Sequence, residues 1–154
     1  MSPKFPVQDL PAAIRPPVSL SAYLEVSAKG VQIYARGKNE KGEPAWIHKG
    51  PDAELFDMAG KPFGKHYGGP SWEAPDGSKV IGALKASAPA PQPGDIPWLL
   101  LDIKSREGEG ALTQAKAILR VNTKGGVAPP ASPAGTDEGN VVRVPYQALY
   151  LFLK

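Results

Sequence analysis

The chain has 154 residues, no cysteine, and 18 basic against 15 acidic side chains that are mixed along its length. This length suits one domain with a sizeable core. The lack of cysteine excludes disulfides, thiolate chemistry and Cys-based zinc sites, and the lack of a basic block argues against a nucleic-acid partner. The apolar runs are short and punctuated by 17 glycines and 18 prolines. We therefore expect a turn-rich globular domain with no membrane-spanning segment.

Residues 1–17 contain five prolines and show neither helical nor strand periodicity. Proline removes a backbone donor and disfavours a helical conformation in the residue before it. We therefore predict an extended Pro-rich N-terminal arm at 1–17 and a single β domain at 18–154. Two interpretations of the arm stay open: it is pinned to the body by its apolar side chains, or it is a frayed tail. These side chains are Phe5, Val7, Leu10 and Ile14.

Alternating polar and apolar side chains predict the first strands. Residues 19–26 alternate, and 31–34 follow as the second strand of a hairpin whose turn is predicted at 28–30. Between the strands predicted at 71–73 and 79–84, Pro75-Asp76-Gly77 has the residues of a tight turn, in which Gly77 takes positive φ and Asp76 caps the turn. The other short strands are predicted at 45–48, 53–56 and 63–67.

The second half of the chain continues the β pattern. Leu99, Leu100 and Leu101 do not alternate, which predicts a strand covered on both faces. Residues 111–121 have helical propensity, but their position between strands favours a strand. A long Gly/Pro/Ser loop is predicted at 122–140. The last strand, 141–153, ends with two apolar faces, which predicts a central position or an outer face that meets a partner.

These elements together predict an all-β, single-domain antiparallel β-sandwich or barrel with long Gly/Pro-rich loops. Four motifs also occur in a specific order: G-V-Q-I-Y at 30–34, G-K-H-Y-G-G-P-S-W-E-A-P-D-G-S-K-V-I-G at 64–82, I-P-W-L-L-L at 96–101 and R-V-P-Y-Q-A-L-Y-L-F at 143–152. In this order they resemble the family catalogued as domain of unknown function 3455. The resemblance implies no defined activity.

The resemblance does bear on the location of the protein, because many members of that family carry a signal peptide. It therefore implies an extracellular or periplasmic location if a signal peptide was trimmed, and a cytoplasmic one otherwise. The first residues, M-S-P-K-F-P-V-Q-D-L-P, contain no apolar core of a signal peptide.

The polar and aromatic side chains between residues 66 and 73 are the best candidates for a site. We predict that His66, Tyr67, Trp72 and Glu73 bind a small molecule or a glycan on a noncatalytic scaffold, without a cofactor. Polar neighbours flank Trp72, so its ring is expected to be exposed, whereas Trp98 is expected in the core.

Two other functions stay open. The first is a small hydrolase or isomerase that uses His66 with Glu73 or Asp76 as acid and base. The second is a structural domain that forms a homo-oligomer through its C-terminal strand. Against a catalytic role, we expect the His66 ring nitrogens to bond the backbone around the following Gly-Gly-Pro turn.

A metal site would need His48, His66 and a carboxylate such as Glu73 or Asp52. The spacing of these residues matches no compact ligand motif, so no metal is predicted.

Overall fold

The computed structural model describes residues 2–130 and 140–154, which form a closed barrel of eight antiparallel strands. Each strand pairs with the next along the chain, and β1 pairs with β8 to close the barrel. The prediction of an all-β fold is confirmed, and of its two forms the structure adopts the barrel. The strands β1 to β8 are Ala22–Lys38, Pro44–Phe56, Pro62–Tyr67, Ser71–Glu73, Lys79–Ala88, Trp98–Glu107, Ala117–Gly125 and Val141–Leu153.

Short 3₁₀ turns lie at Val7–Asp9, Ala12–Ile14 and Leu112–Gln114. The ambiguous segment 111–121 thus begins with a single turn and continues as β7, which extends to Gly125 into the predicted loop at 122–140. Of that loop, residues 131–139 lie outside the described residues. In the part of the chain that the structure describes, no helix is long and apolar enough to cross a membrane.

The hairpin predicted at the start of the domain is wrong, because β1 continues through residues 28–30 as one strand. Gly30 serves close packing here. It lies opposite Ala53 of β2, and a Cβ atom at position 30 would overlap the Asp52 carbonyl and the Ala53 backbone. A glycine in a strand pattern can mark such a close approach of two backbones as well as a turn.

Alternation along the strands divides the apolar side chains between the lumen and the outer surface. On β7, Ile118 belongs to a lumen cluster to which strands all round the barrel contribute, including Trp72 and Phe152. Its neighbour Leu119 belongs to a second cluster on the outer surface, with Leu151 of β8. Both faces of β7 and β8 are therefore buried, but by different parts of the protein.

The N-terminal arm covers this outer cluster. Leu10 and Ile14 are 2% and 0% exposed, and they pack with Leu151 and Leu153 of β8. Phe5 also packs against the outer cluster, where its ring meets Trp98 edge-on. The two-faced apolar end of β8 is thus explained within one chain, because the lumen takes one face and the arm takes the other.

The barrel wall has a gap beside its shortest strands. β3 pairs with β2 only over Asp52–Phe56, and β4 pairs with β5 only over Lys79–Ile81. Residues 44–51 and 83–88 of the longer flanking strands extend past the β3–β4 hairpin without ladder pairs to it, and the Gly82 N–H donates to the Pro70 carbonyl at its tip. The gap lies at the end of the barrel opposite the turn Leu112–Gln114, whose Leu112 is buried in the lumen cluster.

Candidate functional site

A pocket of about 310 Å³ enters the barrel lumen at this gap. Its volume lies at the lower end of the usual range for small-molecule sites. Part of its wall is apolar, and part carries polar side chains that point inward from several strands. The apolar part consists of Trp72, Leu84, Leu99 and Leu101; the polar part includes Gln32, His48, His66, Arg120 and Tyr150.

His66 lies on β3 with its ring buried in the lumen, 2% exposed. Its Nδ1 lies 2.8 Å from the Ser71 carbonyl oxygen, and its Nε2 lies 3.1 Å from the Tyr150 hydroxyl. A carbonyl only accepts, so Nδ1 carries the proton and Nε2 accepts from Tyr150. Tyr150 in turn lies 3.2 Å from the Tyr146 hydroxyl. This buried relay of hydrogen bonds holds the imidazole in one tautomer.

The pKa of both histidines of the pocket is lowered from its ordinary value. Burial lowers the pKa of His66 to about 3; the hydrogen bond to Ser71 opposes this lowering, and the Arg120 charge adds a smaller lowering of its own. Burial also lowers the pKa of His48, again with a contribution from the Arg120 charge. The His48 ring bonds to Gln32, with 2.6 Å between Nε2 and Oε1.

Arg120 brings a positive charge to the inner face of β7. It lies opposite Tyr150 in the register of β7 and β8. Its Nε and Nη2 donate to the Pro97 carbonyl at 3.0 and 2.8 Å. Within residues 2–130 and 140–154, no carboxylate lies within 4.0 Å of the guanidinium. The charge therefore acts on the pocket without a described carboxylate to neutralise it.

Two buried donors at the pocket have no hydrogen-bond partner among the described residues: the side-chain amide nitrogen of Gln32 and the indole nitrogen of Trp72. Gln32 is 2% exposed and Trp72 is 1% exposed. Buried polar groups in folded proteins are nearly always paired. Two unpaired N–H donors on residues that line the same pocket are therefore the most unusual feature of this lumen.

The barrel wall separates the four predicted site residues into two pairs. His66 and Trp72 lie in the lumen, where their rings stack with centroids 4.4 Å apart. Tyr67 and Glu73, the next residue in each strand, face outward and bond to each other at 2.8 Å. Successive side chains of a strand point to opposite faces, so these four cannot share one site.

The expected positions of two tryptophans are wrong. Trp72 is 1% exposed and is part of the core, although polar residues flank it. Its neighbours are polar because they face the other side of the wall. Trp98 is only partly buried and packs in the outer cluster under the arm.

The predicted acid and base partners of His66 lie elsewhere. Glu73 bonds to Tyr67. Asp76 accepts from the backbone and the hydroxyl of Ser78 at 2.8 and 2.6 Å and from the backbone of Ala111 at 2.9 Å. These bonds lower the pKa of Asp76. The capping role predicted for Asp76 is confirmed, and its carboxylate is occupied in holding the turn.

In the described part of the chain, no three His, Cys, Asp or Glu side chains are grouped closely enough to hold a metal ion. The two histidines bond to Gln32, Ser71 and Tyr150 instead.

Sequence reasoning missed Gln32, Arg120 and Tyr150 as pocket residues. A signal for two of them exists. Gln32 continues the lumen-facing phase of Val26 and Ala28, and Arg120 continues that of Ile118. A polar side chain in phase with buried positions of a strand is a candidate lumen group.

The fold and the pocket define the class of protein: an antiparallel barrel in which each strand neighbours the next, with a half-polar pocket in its lumen. The chain belongs to the family described as protein of unknown function (DUF3455), whose model matches residues 16–154. The resemblance seen in the sequence is thereby confirmed across the whole barrel. Neither the curated proteins nor the solved structures gave a significant match to this chain.

Proposed function

We propose that this protein is a noncatalytic binding module that holds a small molecule in the barrel lumen. The observation that carries the proposal is the pair of buried, unpaired N–H donors of Gln32 and Trp72 at one pocket. An unsatisfied buried donor costs about 1–3 kcal/mol. A ligand with acceptor atoms in the pocket would pair with these donors and recover that energy on binding.

The architecture supports the same function. An eight-stranded barrel has an interior that side chains can just fill, or that can hold one small ligand. Here the large residues Trp72, Tyr150 and Phe152 fill one part of the lumen, and the pocket of about 310 Å³ occupies another. The gap beside β3 and β4 supplies an entry from solvent, so no strand has to separate for a ligand to enter.

A small molecule suits the pocket better than a glycan, because Trp72 is buried and presents no open ring face of the kind on which a sugar stacks. A binding role also suits it better than the hydrolase or isomerase considered above. Both ring nitrogens of His66 are engaged, and neither Glu73 nor Asp76 contacts the ring. The side chains of the pocket are therefore arranged to bind a ligand and orient it.

The test is a thermal-shift screen of small polar-apolar compounds, followed by two-dimensional NMR of the tryptophan indole N–H groups in isotope-labelled protein. A ligand that binds the native state alone raises the melting temperature. We expect the Trp72 indole signal to move with added compound while those of Trp46 and Trp98 stay in place. Compounds that stabilise the protein and leave the Trp72 signal unmoved would contradict binding in the lumen.

A matched pair of variants separates the pocket from the rest of the surface. Leu84 lines the pocket and is 64% exposed, so Leu84→Trp places a large ring at the entrance. Val141 is 57% exposed and does not line the pocket, so Val141→Trp is the control. We expect Leu84→Trp to abolish the ligand-induced stabilisation and Val141→Trp to retain it. Equal responses of the two variants would overturn the proposal.

A further inference from the structure

The described lining of the pocket carries charge of one sign. Its two charged side chains are Lys49 and Arg120, and no aspartate or glutamate is among the lining residues. The two histidines add no negative charge, and the pKa of each is lowered. An uncompensated cation in a partly desolvated pocket attracts an anion more strongly than one in bulk water, because the effective dielectric constant is lower.

Arg120 is held in position but has donors to spare. A guanidinium carries five N–H groups. The Pro97 carbonyl engages Nε and Nη2, and a further hydrogen bond goes to the Tyr150 hydroxyl, which still leaves donors free. Anchoring by a backbone carbonyl fixes the guanidinium plane without neutralising its charge. A fixed guanidinium with free N–H groups is suited to bind an oxyanion through two parallel hydrogen bonds.

The rest of the pocket is suited to an apolar group. Trp72, Leu84, Leu99 and Leu101 form its apolar wall. At a share of roughly 30 Å³ for each water-sized group, the volume holds about ten non-hydrogen atoms. An occupant of that size has room for one charged end and a short hydrocarbon body.

We propose that the ligand is a small amphipathic organic acid, whose carboxylate binds Arg120 and whose hydrocarbon body packs on Trp72 and the three leucines. The inference rests on the proposed function and specifies it by naming the ligand class. Gln32 and Trp72, whose buried N–H donors are unpaired, line the same pocket, and small rotations of these side chains would let the donors bond to the acid's oxygens.

The test compares three probes with the same eight-carbon body and nearly equal size: octanoate, octanamide and octylammonium. Each is titrated while the Trp72 indole signal is followed, with Trp46 and Trp98 as internal references. We expect octanoate to bind at least about tenfold more tightly than octanamide, because of the added ion pair, and octylammonium to bind most weakly.

Variants at Arg120 assign the preference to one side chain. Arg120→Gln is expected to weaken octanoate binding about tenfold while changing octanamide binding little. Arg120→Lys is expected to keep part of the preference, because charge remains and the two-bond geometry is lost. Arg143→Gln is the control, since it removes one positive charge from a side chain that does not line the pocket.

The outcomes distinguish this inference from the proposed function. If octanoate and octanamide bind equally and Leu84→Trp blocks both, the organic-acid ligand class is overturned. The proposal that the lumen binds a small molecule is then retained. An octanoate preference that survives in Arg120→Gln also overturns the inference. No movement of the Trp72 signal with octanoate overturns it too, and the wider screen then decides the proposed function. If Arg120→Gln does not fold, the wild-type probe series and Arg120→Lys decide the question.

Discussion

The buried relay from Tyr146 through Tyr150 and His66 to the Ser71 carbonyl joins β8 to β3 and β4 across the lumen. Tyr150 and His66 are 1% and 2% exposed, so both polar side chains would be costly without these partners. At the residue scale, His66 therefore holds the barrel wall together and also shapes the pocket, and its substitution has consequences for stability as well as binding.

We predict that His66→Ala lowers the free energy of unfolding by about 1–3 kcal/mol, because the Tyr150 hydroxyl and the Ser71 carbonyl lose their partner. His48→Ala is the comparison, since the exposed His48 ring bonds to Gln32 and its loss leaves one buried group, the Gln32 amide oxygen, without that partner; we expect it to cost less. Urea unfolding at neutral pH measures both variants. A His66→Ala protein as stable as the wild type would show that the relay contributes nothing to the fold.

Gly77 gives a second prediction for a single residue. Its φ is +92°, and no heavy atom lies within 4 Å of the position that a Cβ would occupy. The cost of Gly77→Ala is therefore backbone strain alone, about 1–2 kcal/mol. Gly68→Ala is the control, because its φ is not in the left-handed region and a Cβ there meets only ordinary contacts. We expect Gly77→Ala to melt at a clearly lower temperature than Gly68→Ala. Equal melting temperatures would refute backbone strain at position 77.

At the scale of elements, the N-terminal arm packs on the outer face of β6 to β8 and forms the outer cluster, separate from the lumen cluster. The arm contributes Leu10 and Ile14 to the outer cluster, where they meet Leu100, Leu151 and other apolar side chains of the barrel wall. Two 3₁₀ turns direct these side chains inward between prolines. The arm thus covers the apolar outer face of these strands.

Ile14→Ala is expected to destabilise the protein by about 2–4 kcal/mol, because a fully buried side chain leaves a cavity that the packed surroundings cannot fill. Val18→Ala is the matched control, since Val18 is fully exposed a few residues further along the chain. Denaturant unfolding compares the two. A small effect of Ile14→Ala would mean that the arm contributes little to stability.

At the scale of the whole molecule, the buried neutral His66 couples the stability of the barrel to pH. The groups around its ring are the Ser71 carbonyl, the Tyr150 hydroxyl, the Trp72 ring and, more distantly, the Arg120 charge. None of these supplies a negative charge to stabilise a protonated imidazole. Burial therefore holds the folded-state pKa near 3, against an ordinary value of 6.5.

The direction of this pH dependence follows from where His66 binds a proton. Between pH 6.5 and pH 3, the unfolded chain carries a proton on His66 and the folded barrel does not. The free energy of unfolding should therefore fall as the pH falls through this window, with a contribution from His66 of up to about 1.4 kcal/mol per pH unit. His66→Gln is expected to flatten the dependence, and His48→Gln to flatten it less. Parallel profiles for wild type and His66→Gln, measured by urea unfolding, would contradict a buried neutral histidine.

The sequence by itself determined the class of fold and most strand positions. Period-two alternation and turn residues specify strands locally, so β4, the start of β5 and the Asp76 turn were predictable. The family resemblance was visible for the same reason, because its motifs are local. The turn at 28–30 was misplaced because a glycine needed for close packing has the same local pattern as a glycine in a turn.

Only the tertiary structure determined which side chains face the barrel lumen and which face the outside. Closure of the barrel placed His66 and Trp72 in the lumen and sent Tyr67 and Glu73 outward, dividing a run that looked like one site. It also brought Arg120, some fifty residues along the chain, to the same pocket. Alternation tells which residues share a face, but strand register and the direction of closure tell which face is inside. Those depend on pairings between distant residues, and local sequence patterns do not carry them.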